Sequence, residues 1–321
     1  MNDLTIDPKM RRLDLAARAA WLYYIKRRTQ DEIAVELNVS RPNAQRLVAL
    51  AISEGLIKFR LEHPLLHSIE LGERVRDRFG LTFCDVAPSE HGESENRVGV
   101  AHRAAELLET FLSPRTPQIL AFGTGRTLLE TVRLVSTMTR PDHKIVSIVG
   151  NLTRDGRASP YDVAMRLSDR VGAQCYPLPL PVIADTQEEC DILKAQRGYR
   201  AINALFEQAD ALMLGVGSLD EEAPVFIDGF VTAEELAELR RCGGTGELIS
   251  RSFDASGAIV EGPITSRLTA MNLPHAPKKP TILVASGKRK AEALRAALRG
   301  HFANGIIIDE DIATALLCDA Q

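Results

Sequence analysis

The chain has 321 residues, 45% of them apolar and 26% charged, which is ordinary for a folded globular protein and excludes a disordered or collagen-like chain. No apolar run is long enough to predict a membrane-spanning helix. The first residues lack the pattern of a secretion signal, and the five cysteines stand far apart, without metal-ligand or disulfide spacing. The sequence therefore predicts a cytoplasmic protein of two domains that holds no metal.

Charge is distributed unevenly along the chain, although the net charge is only −4. Residues 1–60 hold eleven Lys and Arg against seven Asp and Glu, a net charge of +4, which leaves −8 for the remainder. A small basic unit joined to a large acidic one indicates that any nucleic-acid contact is made by the first part of the chain.

Three helical patterns follow one another in the basic part. The second begins after Thr29, which with Glu32 predicts a capping box, and it ends at Asn38, a residue that tolerates the left-handed backbone of a tight turn. Its short buried face consists of Ile33, Ala34 and Leu37. The first is predicted from Met10 to Lys26, with an apolar face formed by Leu13, Ala17, Ala20, Trp21 and Tyr24.

The third helix is predicted to be capped by Ser40, to have Pro42 in its first turn and to end at Gly55. Its inward face comprises Ala44, Leu47, Val48, Ala51 and Ile52. The opposite face is small and polar with a basic start, and it comprises Pro42, Asn43, Arg46, Ala49 and Ser53, flanked by Arg41 and Gln45.

A short helix, a tight turn and a helix with a polar N-terminal face form the helix-turn-helix arrangement, in which the last helix enters the major groove of DNA. Arginine pairs there with guanine, and asparagine or glutamine with adenine. The alternative is a three-helix unit that binds no DNA. The candidate DNA-binding residues are Thr29, Gln30, Ser40, Arg41, Pro42, Asn43, Gln45 and Arg46, of which Arg41, Asn43, Gln45 and Arg46 are the base-reading candidates.

The segment after the third helix predicts a wing and a boundary. Apolar and basic residues alternate from Leu56 to Leu61, as in a wing strand. Glu62-His63-Pro64 then breaks the pattern. We therefore expect a winged DNA-binding domain of residues 1–61 and a second domain of residues 62–321.

The second domain alternates short apolar runs with amphipathic helices, the first from Ser68 to Phe79, which predicts an α/β fold with a mostly parallel sheet. Four of the runs, at 119–122, 145–149, 211–214 and 281–285, lead into loops of glycine and hydroxyl residues. Ligands of open parallel sheets bind beyond the carboxyl ends of the strands, where glycine lets backbone N–H groups approach an anion. We expect the four loops to converge on one pocket.

The candidate pocket residues in these loops are glycines, small polar residues and two basic residues that could hold a phosphate. Neither a dinucleotide fingerprint nor a P-loop is present, so no cofactor is predicted. Thr127 with Glu130 predicts a capping box for the next helix. Each loop alone is more often a simple turn, and Arg126 or Lys288 alone a solvated residue. The loop candidates are Gly123, Thr124, Gly125, Arg126, Thr127, Gly150, Asn151, Leu152, Gly217, Ser218, Gly287 and Lys288.

Acidic residues near the end of the chain allow further predictions. Asp254 is expected either to accept sugar hydroxyls or to form a turn. Asp309-Glu310-Asp311 is expected to begin the last helix.

Short motifs follow one another in a specific order along the chain. Ala-Ala-Trp-Leu-Tyr-Tyr at 19–24 precedes Thr-Gln-Asp-Glu-Ile-Ala at 29–34, Val-Ser-Arg-Pro at 39–42 and Glu-Gly-Leu-Ile at 54–57. Further motifs lie at 122–127, 243–247, 253–254, 285–290, 296–300 and 308–317. In this order they resemble the SorC/DeoR-type sugar-binding transcriptional regulators of bacteria, over nearly the whole chain.

The resemblance implies an effector domain with a fold like that of sugar-phosphate isomerases, a sugar phosphate or polyol as effector, and a homo-tetramer or dimer on double-stranded operator DNA. It adds Gly246 and Glu247 to the effector-binding candidates. Thr245 and Asn151 depart from the family pattern. The versions of the motifs at 19–24 and 41–45 are similar to those of polyol-operon regulators.

The predicted function is thus a non-enzymatic, DNA-binding regulator of a carbohydrate catabolic operon. An alternative is a sugar-phosphate isomerase, which needs a carboxylate or lysine base, for which Asp254, Lys288 and Asp309 are the candidates. A third interpretation is a DNA-binding protein whose second domain only oligomerises, which leaves the glycine loops unexplained.

Overall fold

The computed structural model describes residues 8–57, 64–88, 97–262 and 264–318. The chain divides into two compact units, Met1–Glu62 and His63–Gln321. The first contains the helices α1 (Pro8–Tyr24), α2 (Gln30–Glu36) and α3 (Arg41–Ser53). Their shared core consists largely of small side chains, namely Ala16, Ala19, Ala20, Leu22, Ile33, Ala34, Ala44, Leu47, Val48 and Ala51.

The buried face of α1 differs from the predicted one. Ala17 and Trp21 were expected inside, yet both are exposed, Trp21 by 50% of its surface. The buried positions of α1 are Ala16, Ala19, Ala20 and Leu22. The alanines let α1 approach the alanine face of α3 more closely than a tryptophan would allow. Trp21 remains outside, with the Lys26 ammonium 5.0 Å from its ring centroid. Ile52 of α3, also expected inside, is 45% exposed.

The predicted ends of α2 and α3 are largely confirmed. The Thr29 hydroxyl accepts a hydrogen bond from the Glu32 N–H, and the Glu32 carboxylate accepts one from the Thr29 N–H. Asn38 and Gly55 have left-handed backbones, with φ of +51° and +66°. Ser40 occupies the N-cap of α3, but its side chain makes no capping hydrogen bond. The predicted wing, apart from its first two residues, and the linker up to residue 63 lie outside the described residues.

The second unit alternates helices and strands from its first described residue. Its first helix begins at Pro64, four residues before the predicted Ser68. Its elements are α4 (Pro64–Phe79), β1 (Phe83–Ala87), α5 (Arg97–Leu112), β2 (Ile119–Phe122), α6 (Arg126–Leu134), β3 (Lys144–Ser147), α7 (Val163–Val171), β4 (Gln174–Tyr176), α8 (Gln187–Ala195), α9 (Arg197–Glu207), β5 (Ala211–Gly215), β6 (Gly217–Ser218), α10 (Pro224–Ile227), α11 (Ala233–Arg241), β7 (Gly244–Leu248), β8 (Arg251–Asp254), β9 (Thr281–Val284), α12 (Ala291–Arg299), β10 (Gly305–Asp309) and α13 (Glu310–Leu317).

Seven strands form one parallel sheet in the order β1-β10-β9-β5-β2-β3-β4, and β6, β7 and β8 form a small antiparallel sheet. The predicted mostly parallel α/β fold is thereby confirmed. The chain runs outward in one direction from β2 to β4 and in the other from β5 to β10. The strand order therefore reverses between the neighbours β2 and β5, the point at which open α/β sheets bind their ligands.

Helices cover both faces of the large sheet. Along β9, Ile282 and Val284 pack in the cluster with α5, α6 and α7, while Leu283 packs in the cluster on the opposite face. Burial on both faces explains why the strands read as continuous apolar runs. Among the helices of the described ranges, none is both long enough and apolar enough to cross a lipid bilayer.

Candidate functional site

A cleft lies at the carboxyl ends of the central strands, where β2 and β5 meet. Its volume is about 840 Å³ when counted out to its open mouth. The residues that follow β2, β3 and β5 line it, together with the start of β6 and the end of β7. Of the predicted effector-binding residues, those that line the cleft are Thr124, Gly125, Arg126, Thr127, Gly150, Gly217 and Glu247.

The fourth predicted loop reaches the cleft in an unexpected way. Gly287 does not line it, because its N–H donates to the Asp309 carboxylate at 2.6 Å. Lys288 is exposed outside the cleft. The basic residue that lines it is Lys290, at the end of the short 3₁₀ turn that follows Gly287. That turn separates the two lysines, and residue spacing alone did not distinguish them.

Other predicted residues have structural contacts away from the cleft lining. The Asp254 carboxylate accepts hydrogen bonds from the N–H groups of Ser256 and Ala258, the turn that was the alternative expectation. The Ser256 hydroxyl also donates to this carboxylate. That hydrogen bond, followed by those from the N–H groups, lowers the pKa of Asp254. A Cβ at Gly246 would lie 2.8 Å from the Phe253 ring. The predicted residues that do not line the cleft are Gly123, Asn151, Leu152, Ser218, Gly246, Asp254, Gly287 and Lys288.

The expected capping box of α6 is not formed. The helix begins at Arg126, with Gly125 as its N-cap, so Thr127 lies inside the first turn. Glu130 instead pairs with Arg133, at 2.9 Å. Thr127 therefore lines the cleft with only 4% of the residue exposed, and within the described part of the chain its buried hydroxyl has no hydrogen-bond partner.

Glu247 and Lys290 bring a carboxyl group and an amino group to the cleft. Burial raises the pKa of Glu247, while the Ser250 N–H, which donates to its Oε2 at 2.7 Å, and the charge of Lys290 act in the opposite direction. The Oε1 atom of Glu247 lies where a Cβ of Gly217 would stand. Only glycine at 217 therefore leaves room for this carboxylate, which gives that predicted glycine a definite steric role.

Several residues of the cleft were not expected from the sequence. Ser159 and Tyr161 come from the segment between β3 and α7, and Val225 and Phe230 from the segment around α10. The Tyr161 hydroxyl donates to Asp228 at 3.5 Å. Burial raises the pKa of Tyr161 most, and the negative charge of Asp228 raises it further. Irregular loops show no periodic pattern, so the sequence contained no signal that would have placed these side chains together.

One carboxylate connects segments of the chain that adjoin residues of the cleft lining. Glu235, at the third position of α11, is 14% exposed and accepts from the Thr232 N–H at 2.9 Å. Arg154 Nη2 donates to both of its oxygens at 2.7 Å, and Arg267 Nη2 donates to Oε1 at 2.6 Å. Burial favours the neutral acid, but these hydrogen bonds outweigh it and lower the pKa of Glu235.

The two arginines extend this connection to the cleft lining. Arg154 Nε donates to the carbonyl oxygen of Phe230 at 3.2 Å, and Phe230 lines the cleft. Arg267 Nη1 donates to the carbonyl oxygen of Ala184 at 3.2 Å, two residues after the lining residue Val182. Through the two arginines, Glu235 thus connects the lining segments of Phe230 and Val182, although it does not line the cleft itself.

The outward face of α3 in the first unit is as open as predicted. Its residues Arg41, Pro42, Asn43, Gln45, Arg46, Ala49 and Ser53 are all exposed. Arg41 forms an ion pair with Asp31 of α2, with 3.3 Å between Nε and Oδ1. The Thr29 side chain accepts a hydrogen bond in the capping box of α2 and therefore has a structural role.

The candidate groups for enzymatic chemistry have positions outside the cleft lining. Asp254 closes its turn, Lys288 lies outside the cleft, and Asp309 accepts from the Ile312 N–H as the predicted start of α13. In the described part of the chain, no three His, Cys, Asp or Glu side chains are grouped to hold a metal ion. None of the three groups offered as an isomerase base lines the cleft.

Proteins of known function are similar in sequence to almost the entire chain. Residues 63–318 match the Sugar-bind family of sugar-binding domains. The erythritol catabolism regulatory protein EryD of Brucella abortus (strain 2308) is 31% identical over 303 residues, covering 94% of this chain and 96% of that protein. The deoxyribonucleoside regulator of Bacillus subtilis (strain 168) is 28% identical over 310 residues, covering 95% and 97%.

Solved structures share the fold. The full-length sorbitol operon regulator SorC from Klebsiella pneumoniae superposes with a TM-score of 0.70 at 22% identity, covering 95% of this chain and 99% of that one. A DeoR family transcriptional regulator from Listeria monocytogenes gives a TM-score of 0.70 at 21% identity, over 78% of this chain and 99% of that one. The resemblance inferred from the order of the motifs is confirmed.

Proposed function

Because this chain belongs to the Sugar-bind family and its relatives are transcriptional regulators, we propose that α3 binds operator DNA and that the cleft binds the small molecule controlling that binding. The relatives are regulators rather than enzymes, and the chain is a regulator of the same kind. The target is an operon for the breakdown of a carbohydrate, and the regulator acts on it in the cytoplasm.

The observation that supports the effector site most directly is the Thr127 hydroxyl. A buried hydroxyl without a partner costs about 1–3 kcal/mol relative to a satisfied one. Thr127 is buried and unpartnered in the lining of the cleft, at the first turn of α6. A ligand oxygen that accepts from it, and from N–H groups of the same turn, which have no partner inside the helix, removes that cost.

The charges of the cleft indicate what kind of ligand it takes. Arg126 and Lys290 favour an anionic group, and Glu247 accepts hydrogen bonds from hydroxyls. Tyr161 adds a group that both donates and accepts. A sugar phosphate fits this set, and so does a polyol, the class to which the erythritol named for the Brucella relative belongs.

Control of DNA binding requires that the effector bind one state of the protein better than another. We propose a homo-oligomer, dimer or tetramer, in which the effector changes the spacing or orientation of paired DNA-binding units. Half-sites on DNA lie at fixed helical spacing, so a change of spacing between paired units alters operator affinity.

A ligand screen by thermal unfolding tests the effector site. The full chain is heated with ribose 5-phosphate, erythrose 4-phosphate, erythritol and sorbitol, because a ligand at a hundred times its Kd stabilises the folded state by about 2.7 kcal/mol. Lys290→Ala should abolish the stabilisation, and the matched variant Lys288→Ala, outside the cleft, should retain it. Equal loss in both variants would contradict the cleft as the site.

Operator binding is tested with the DNA upstream of the regulator's own gene. The affinity of the protein for this DNA is measured by fluorescence anisotropy. It should fall steeply between 50 and 200 mM salt, by about a thousandfold if the protein contacts six phosphates. The stabilising ligand should change that affinity. Absence of salt-sensitive binding, with and without ligand, would exclude the proposed function.

A further inference from the structure

The ion pair between α2 and α3 lies at the start of the proposed recognition helix. Arg41 is the first residue of α3, and its Nε lies 3.3 Å from Oδ1 of Asp31. Both side chains are largely exposed, 66% for Arg41 and 72% for Asp31. The pair therefore contributes little to the stability of the folded unit, and its presence calls for another explanation.

The geometry of the contact leaves Arg41 able to recognise a DNA base. The guanidinium group is planar, and its two terminal nitrogens form the fork that matches O6 and N7 of guanine. The carboxylate approaches Nε, at the base of the fork, rather than one of the terminal nitrogens. A contact at that atom restricts rotation of the group and leaves the fork for a base edge.

A carboxylate at this place also opposes simple attraction to DNA. Asp31 stands beside the exposed basic face of α3, where the phosphates of a bound duplex would repel it. The position therefore lowers the affinity for any DNA sequence. Such a residue is useful only if it raises the difference between the correct sequence and the others, which is specificity rather than affinity.

We propose that Asp31 is a positioning residue that orients Arg41 for bidentate recognition of one guanine in the operator. The proposal rests on the proposed DNA binding by α3. Arg41 reads the base, and Asp31 acts only through Arg41. When the duplex excludes water from the pair, the attraction between the two side chains strengthens, because the local dielectric constant falls.

The test is selection from a randomised duplex library with the full-length protein. The wild type should enrich a motif with a guanine preferred by roughly 5- to 150-fold at one position of each half-site. Arg41→Lys keeps the charge but removes the fork, so the preference at that position should disappear while other positions keep theirs. Asp31→Asn should lower the same preference by roughly two- to fivefold.

The two effects of Asp31→Asn have opposite signs, which a structural role would not produce. Its affinity for random-sequence DNA should rise, since a negative charge is removed, while its discrimination falls. Asp14→Asn on α1 is the matched control, because it removes the same charge from an exposed site in the same unit. It should leave the guanine preference unchanged. Circular dichroism confirms that each variant retains its helices.

Replacing the selected guanine by 7-deazaguanine supplies a second measurement, because it removes the N7 acceptor. The wild type should lose most of its preference on that duplex, and Asp31→Asn should lose less. An unchanged motif in Arg41→Lys overturns the base reading, and an unchanged preference in Asp31→Asn overturns the positioning role. A wild type that enriches no motif and shows no salt-sensitive binding refutes the proposed DNA binding itself, which is a separate outcome.

Discussion

The two units of the chain assemble their candidate residues in different ways. In the first, Arg41, Asn43 and Arg46 are all exposed within two turns of a single helix, above a core built mainly of alanine. In the second, the cleft takes residues from segments far apart in the chain, from Thr124 to Lys290, above a core of large aliphatic and aromatic side chains. The first arrangement depends on one helix, and the second on the whole sheet.

Substitutions at the two sites should therefore differ in how strongly they affect folding. A residue of the α3 face can change with little effect on folding, because its neighbours are solvent. A residue beneath or around the cleft affects both the fold and the site, because the strands that end there are the core of the unit.

The largest effect is expected for Phe122→Ala. Phe122 is the last residue of β2, 2% exposed, directly before the first cleft loop. Truncating a buried phenylalanine costs about 3–5 kcal/mol, since the surrounding side chains fill the cavity only partly. Urea unfolding of the second unit measures the loss. Ile192→Ala, on the exposed surface of α8, is the control and should cost less than about 0.5 kcal/mol.

Next in size is Glu235→Gln at the mouth of the cleft. The amide cannot satisfy Arg154 and Arg267 together, so the unfolding free energy should fall by about 2 kcal/mol. The ligand found in the thermal screen should also bind more weakly, because the lining segments of Phe230 and Val182 lose their common anchor. Glu234→Gln, the exposed neighbour, is the matched control, and an equal loss in both variants would refute the connection.

The same carboxylate predicts a pH dependence. The folded-state pKa of Glu235 lies below the ordinary value of 4.5, so its contribution is fully present above that value. The contribution is lost as the pH falls through the lowered pKa, because the protonated acid gives up its ion pairs. Unfolding measured between pH 3 and pH 6 should show this loss in the wild type and a smaller one in Glu235→Gln.

A smaller, selective effect is expected for Thr127→Val. Because the hydroxyl has no partner among the described residues, its removal should leave the unfolding free energy unchanged or slightly raised. Ligand affinity should fall by about tenfold, the equivalent of one hydrogen bond. Thr131→Val is the control: its hydroxyl donates to the Thr127 carbonyl at 2.9 Å, so stability should fall while affinity holds. The reverse pattern would assign Thr127 a purely structural role.

The smallest effect compares the two helix starts of the first unit. Thr29→Ala removes a reciprocal capping box and should cost about 1 kcal/mol, measured by thermal unfolding of that unit. Ser40→Ala should cost only a few tenths of a kcal/mol, because the Ser40 side chain makes no capping hydrogen bond. A larger loss for Ser40→Ala would show that its hydroxyl has a role that the free protein does not reveal.

Local signals were sufficient for much of the fold. Thr29 and Glu32 identified the start of α2, and Asn38 and Gly55 identified two left-handed turns, because each effect involves residues within one turn of helix. The apolar runs identified the central strands within two residues of their ends. The same local reasoning failed at Thr127. Because α6 begins at Arg126, Thr127 lies inside the first turn and lines the cleft instead of capping the helix.

By itself, the sequence determined the basic first unit, the exposed α3 face and the parallel α/β order of the second unit, since periodicity, caps and glycine loops act over a few residues. Only the tertiary structure decided that Lys290 rather than Lys288 faces the cleft, that Ser159 and Tyr161 join it, and that Glu235 holds its mouth. Those groups come together because seven strands align their ends at one edge, a result of packing that no single segment encodes.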